Sequence, residues 1–303
     1  MTFGDRLAGL VEARGSQIVL GLDPDPERLW PQALAQAPAN GSPAHRAAGA
    51  VRAHCAALID AAGSACVAVK PQLACFERLG ADGWAALAAT IEHARAAGLL
   101  VLADGKRGDI SVSAAAYAQA LVGSTPTPFG EAQGLGADAF TANPLLGVDS
   151  LAPLVDGARA AGAGVFVLVR TSNPGAADVE DLELAGGEAV WERLARIVAE
   201  LGDGGEAGPG GLADIGAVVG ATEPRHVARM RELMPRTPFL LPGIGAQGGR
   251  VEDLAPAWAA GRAGGLVSAS RSIANAHESS QRSPQDAARA EAERLRDSAW
   301  SLS

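Results

Sequence analysis

The chain has 303 residues, 48% of them hydrophobic and only 4% aromatic, and it carries a net charge of −9. That acid excess argues against a broad nucleic-acid surface, although a few local donors suffice to hold an anionic small ligand. The length fits one large α/β barrel or two smaller domains, so the pattern along the chain has to choose.

"QIVLGLD" (17–23) is the first buried-strand candidate, a run of aliphatic and β-branched residues. After a Pro-rich loop, Ser42 and Pro43 fit an N-cap and a first helical position. Val51, Cys55, Leu58, Ile59 and Ala62 then recur at helical spacing. "CVAVK" (66–70) is the second strand. Asp82 is placed to cap the next helix, with a stripe of Trp84, Leu87, Ala88 and Ile91, and Gly98 to stop it. "LLVLAD" (99–104) is the third strand, followed by strands at 136–142, 164–170, 215–220, 238–243 and 264–270. Helical segments fall near 148–161, 186–201, 223–234 and 251–260.

Eight strands alternating with helices predict a closed (β/α)₈ TIM barrel, a single domain over residues 1–303, rather than two doubly wound sheets. The Gly-rich stretch 202–211 is expected as an exposed insertion and 283–300 as a polar C-terminal helix starting at Ser283–Pro284. Neither carries a legible function. Chemistry in such barrels gathers at the C-terminal ends of the strands. The polar residues there are Asp23, Lys70, Asp104 with Lys106, Asn143, Ser172, Gln247 and Arg271.

Cys55, Cys66 and Cys75 form neither an even set nor a CxxC pair, which predicts reduced thiols in a cytoplasmic protein. The scattered histidines include no HExxH, so no zinc site is expected. No basic-then-apolar signal opens the chain, and no uncharged run reaches about 18 residues, so no membrane segment is expected either.

The third strand ends in "VLADGKRGDIS" (101–111), where Asp104, Lys106 and Asp109 crowd the end of an apolar run. Charges there are costly unless they serve one another or a ligand. If the strand continues, Asp104 and Lys106 at i and i+2 point the same way. Each close pair is worth roughly 4 kcal/mol at 4 Å and an effective dielectric near 20, enough to matter to a reaction barrier. A lone DxK pair fits a salt-bridge network closing the barrel mouth equally well; Asp23 and Lys70 at other strand ends favour a ligand site.

"LADGKRGDI" resembles the DxKxxDI signature of the orotidine 5′-phosphate decarboxylase family, and the likeness runs through strands one, two, three, five, seven and eight. "DGKRGDIS" followed by "TSNPG" is most similar to a longer bacterial branch. The resemblance implies a dimeric TIM barrel with UMP and carbon dioxide as products and no cofactor or metal. It assigns Lys106 as the acid that protonates C6, Asp104 against the departing carboxylate, and Lys70 and Asp109 to an alternating Lys-Asp-Lys-Asp array. Asp109 would come from the partner subunit and touch the ribose hydroxyls together with Asp23. Ser113 stands where the family often has Thr, also reaching across the dimer, and Ser172 would meet the pyrimidine edge.

"PGIGAQGG" (242–249) contains a literal GxGxxG in Gly243, Gly245 and Gly248. A dinucleotide site needs that motif after the first strand with an acidic residue about 20 positions on; here it follows the seventh, and position 268 is serine. A phosphate cradle fits better, since loops after strands seven and eight bind phosphate in these barrels. The resemblance gives Gln247 and Arg271 to phosphate contact, with Ser270 where the family usually has Gly.

Two other functions share the barrel. A metal-dependent sugar-phosphate decarboxylase or aldolase also carries DxKxxD but usually ends strand two in a Glu, where this chain has Lys70. A non-catalytic nucleotide-binding barrel would keep Gln247 and Arg271 but has no need of the charge array.

Overall fold

In the computed structural model, which describes residues 1–205, 208, 210–245 and 248–303, the chain starts with helix α1 (Phe3–Arg14) and strand β1 (Ile18–Leu22). There follow α2 (Pro31–Ala35), α3 (Pro43–Ala62), β2 (Ala68–Pro71), α4 (Leu73–Glu77), α5 (Gly80–Ala96), β3 (Leu100–Arg107) and α6 (Ser111–Leu121). A hairpin, β4 (Ser124–Thr127) and β5 (Gly130–Gln133), precedes β6 (Ala139–Ala142), α7 (Val148–Ala160), β7 (Gly164–Arg170) and α8 (Val190–Asp203). The chain then runs through β8 (Ile215–Val219), α9 (Pro224–Leu233), β9 (Phe239–Leu241), β10 (Gly265–Ala269), α10 (Arg271–Ala274) and α11 (Pro284–Leu302).

Strands β1-β10-β9-β8-β7-β6-β3-β2 pair in that order into a closed barrel, every pairing parallel. This is the predicted (β/α)₈ TIM barrel. All five residues of β1 are buried, as are all those of β6, β8, β9 and β10, because a parallel strand between core and outer helices has no solvent face.

Several elements depart from the sequence expectation. Helix α1 was not foreseen; Phe3, Leu7 and Val11, at i, i+4 and i+8, bury one stripe against the residues filling the lower barrel, among them Val19, Leu102, Phe166 and Leu266. The fit is close: a Cβ at Gly164 would lie 2.4 Å from the Phe3 ring. Helix α5 begins at Gly80, so Asp82 stands in its first turn and not at its cap. Helix α6 follows β3 as the alternation implies, although no segment had been marked for it, and the hairpin lies where no element was expected, with Phe129 at its turn 98% exposed. The segment Val251–Ala260 is 3₁₀ and not α, consistent with Pro256, which has no N–H to give.

Ser42 and Ser283 cap as expected, their side chains accepting from the N–H groups of His45 and Asp286. The polar C-terminal helix α11 packs on α3, β1 and the 251–260 segment through Ala288, Ala292, Leu295 and Ala299, completing the outer ring after the last strand. The part of the Gly-rich stretch at 206, 207 and 209 lies outside the described residues.

Two buried basic residues, one charged and one neutral, brace the outer layer. Arg231 donates to the carbonyls of Met234, Thr237, Ala257 and Gly264 at 2.7 to 2.9 Å, with its guanidinium 3.8 Å from the Phe239 ring centroid. Burial lowers its pKa to about 10, so it remains charged at neutral pH.

His54 accepts a hydrogen bond from Trp30 N–H at 3.2 Å on Nδ1, which requires that nitrogen to be unprotonated. Burial, then the neighbouring His277, lower its pKa from 6.5 to about 4. A depressed folded-state pKa gives stability that is complete above the unfolded value and drains as pH falls toward the folded one. Urea unfolding should therefore show a loss on the order of 3 kcal/mol between pH 6.5 and 4 from this group. A His54→Phe protein, less stable at pH 7, should lose less over the same interval.

Candidate active site

The charged strand ends meet in one place. Asp104 is buried on β3, and its two carboxylate oxygens face different ammoniums: Lys70 Nζ at 2.6 Å from Oδ2 and Lys106 Nζ at 2.7 Å from Oδ1. Gln72 Nε2 adds a donor to Oδ2 at 3.3 Å. Burial by itself would raise the Asp104 pKa, but the Lys70 and Lys106 charges and their hydrogen bonds hold it far below the usual carboxylate range. For Lys70, burial pulls the pKa down, and Asp104 and Asp23 together overcome that, leaving it raised. The result is a cation–anion–cation array with a net positive charge. The Lys106 side chain keeps 44% of its surface exposed, against 9% for Lys70, so Lys106 is the ammonium a ligand can reach.

Strand β3 does continue past Asp104, but through a register shift between Ala103 and Arg107, and Lys106 has φ of +46°. A non-glycine residue there is strained and persists only where its surroundings hold it. Thr141, buried on the neighbouring β6, supplies the hold: its hydroxyl accepts from Lys106 N–H at 2.8 Å and donates to Asp104 Oδ1 at 2.8 Å. One hydroxyl thus fixes both the backbone of the lysine and the carboxylate its amine contacts. The sequence reading missed Thr141, because in "DAFTA" it is an ordinary β-former.

Asp23, Lys70, Gly243, Ser270 and Arg271 line a common cavity of about 90 Å³ at the ends of β1, β2, β9 and β10. Asp23, Ser270 and Arg271 also border an adjoining cavity of about 360 Å³ over α3. Gly243 takes φ of +105° where the chain turns out of β9. Gln247 lies outside the described residues.

Ser172 sits half-buried just beyond β7, in a loop tied down by Arg170, which donates to both oxygens of Asp181 at 2.8 and 3.0 Å. Asp109 does not join the array of its own chain; its carboxylate accepts from Ile110 N–H at 2.7 Å. Ser113 is exposed in the first turn of α6.

Eight parallel strands presenting fixed charges and an arginine-lined cavity at one mouth define a barrel suited to an anionic ligand held beside an ammonium. The sequence matches the "Orotidine 5′-phosphate decarboxylase / HUMPS family" over residues 16–285. It is 40% identical over 277 residues to an orotidine 5′-phosphate decarboxylase of Rhodopirellula baltica, covering 91% of this chain and 89% of that one. The corresponding enzyme of Deinococcus radiodurans is 42% identical over 272 residues, covering 90% and 89%. The solved structure of Leishmania donovani OMP decarboxylase superposes with a TM-score of 0.72 at 31% identity, covering 99% of each chain. The chain belongs to the orotidine 5′-phosphate decarboxylase / HUMPS family.

Proposed function

We propose that the chain decarboxylates orotidine 5′-phosphate to UMP and CO₂, a step of pyrimidine biosynthesis, with the Lys70–Asp104–Lys106 array as its charged centre. The observation that carries this reading is that array, formed by strand-end residues in a chain about 40% identical to proteins of that name. As the C6 carboxylate leaves as CO₂, the bond's electron pair stays on C6. The Lys106 ammonium faces the developing negative charge without needing to reorganise, then donates its proton to C6 and regains one from solvent. Asp104, kept ionised, fixes Lys106 and repels the substrate carboxylate. Arg271, Gly243, Ser270 and Gln247 take the phosphate, Asp23 the ribose and Ser172 the pyrimidine edge.

The same reading makes the chain a homodimer with shared sites, Asp109 and Ser113 entering the partner's mouth. Two features support it. Asp109 does not reach its own array, and Ile110, Val112, Leu145, Leu146 and Val148 expose apolar side chains on the loops and helix starts after the adjacent strands β3 and β6. Such a group marks a contact surface more than five scattered residues would. Three free thiols and no described helix long and apolar enough to cross a membrane fit a cytoplasmic location.

The scheme as written uses no organic cofactor, and a metal does not fit it, because a second ammonium, Lys70, occupies the end of β2 and would repel a cation there. Turnover of orotidine 5′-phosphate, followed by loss of pyrimidine absorbance, should be unchanged in EDTA. Loss of activity in chelator with recovery on adding magnesium would favour the metal-dependent sugar-phosphate chemistry instead.

Thr141→Val should lower kcat about tenfold or more, with KM changed less than about threefold, because it loosens the reacting lysine and not the phosphate end. Thr141→Ser, which keeps the hydroxyl, should recover most of the rate. Equal losses in the two variants would place the effect in packing and not in the hydrogen bonds.

A further inference from the structure

Arg271 faces more than the cavity assigned above to the 5′-phosphate. On its other side it lines a groove of about 490 Å³ running toward α11, with Arg282, Arg294, Ser279 and Ser280 along its walls. Arg294 is engaged by Glu291 at 2.7 and 2.8 Å, the one carboxylate on the groove wall. Glu278, on the neighbouring turn, is engaged by Arg28 at 2.6 Å. Arg271 and Arg282 form no ion pair among the described residues. In a chain with 34 acidic against 25 basic residues, two guanidiniums without carboxylate partners beside a shared groove are a local reversal of charge. Guanidiniums and serine hydroxyls are the donors that phosphate oxygens use.

We infer that this groove receives the terminal phosphates of a uridine di- or triphosphate whose nucleoside monophosphate part occupies the active site, making such nucleotides competitive inhibitors. The inference rests on the proposed decarboxylase reading, which places the 5′-phosphate at Arg271. That residue lies on the wall common to both spaces, so a chain of phosphates passing it leads from one into the other. The groove is open and screened by solvent, so the added phosphate gains a modest factor and not a second full binding energy.

Inhibition constants for UMP and UDP against orotidine 5′-phosphate turnover test this in the intact protein. UDP should bind about tenfold tighter than UMP, and Arg282→Glu should bring that ratio to about one. Taking the ratio within each protein cancels any change in the site common to both nucleotides. Equal constants for UMP and UDP in the unaltered chain overturn the inference, as does a ratio that survives Arg282→Glu. Inorganic pyrophosphate that inhibits without competing with substrate also overturns it, since the groove would then be a separate anion site. Absence of turnover in the unaltered chain would instead remove the proposed activity, so the two failures are distinguishable.

Discussion

Lys106→Ala is expected to lower kcat for orotidine 5′-phosphate by about 10⁴-fold or more, since one side chain supplies both the facing charge and the proton. The protein should remain folded. Lys106 is partly exposed, and Asp104 keeps Lys70, Gln72 and Thr141 as partners after its loss. Affinity for UMP should change far less than kcat, because the residues proposed to hold the phosphate and ribose, Asp23, Gly243, Ser270 and Arg271, line a cavity that does not include Lys106. A variant that retained a tenth of the rate would remove Lys106 from the proton transfer and leave the array a structural ion-pair network. Arginine at this position would keep the charge but hold its proton too tightly to deliver it, so Lys106→Arg should be nearly as impaired.

Homodimers of Asp109→Ala should also be nearly inactive, yet mixing them with Lys106→Ala homodimers should restore turnover. In a mixed dimer with shared sites, one site carries both replacements and the other carries neither. Random exchange of equal amounts gives mixed dimers as half the population, each with one intact site, or about a quarter of the unaltered activity per chain. No recovery after verified subunit exchange would show that Asp109 acts within its own chain or not at all. Its carboxylate accepts from the Ile110 amide and makes no contact with its own chain's array, which favours recovery on mixing.

What was legible in the sequence follows from how barrels bury their parts. Strands such as "QIVLGLD" and "GVFVLVR" are enclosed on both sides, so they stand out as unbroken aliphatic runs, and the charges ending them stand out by contrast. Lys70, Asp104 and Lys106 were found for that reason. Thr141 was not, because its importance lies in where β6 sits beside β3 and not in its residue type. Helix α1 did carry a signal, Phe3, Leu7 and Val11 after a capping Thr2, but it precedes the first strand, outside the alternation that guided the reading. Helix α6 is "SVSAAAYAQAL", whose small apolar residues surround the axis and give no stripe. The hairpin was hidden by Pro126 and Pro128, which read as loop but here belong to an exposed two-stranded ribbon. Asp109 had no direction from sequence, and a single chain gives it none toward the array.

The guanidinium of Arg231 is balanced by four carbonyl dipoles and an aromatic face, with no carboxylate involved. Dissolved ions weaken attraction between exposed opposite charges but have little access to a cation enclosed by neutral oxygens. The joint it makes between α9, the 251–260 segment and the start of β10 is therefore insensitive to ionic strength. Phe239 and Gly265, where β9 and β10 begin, adjoin that joint, and concentrated brine should leave these strand starts as firmly held as dilute buffer does.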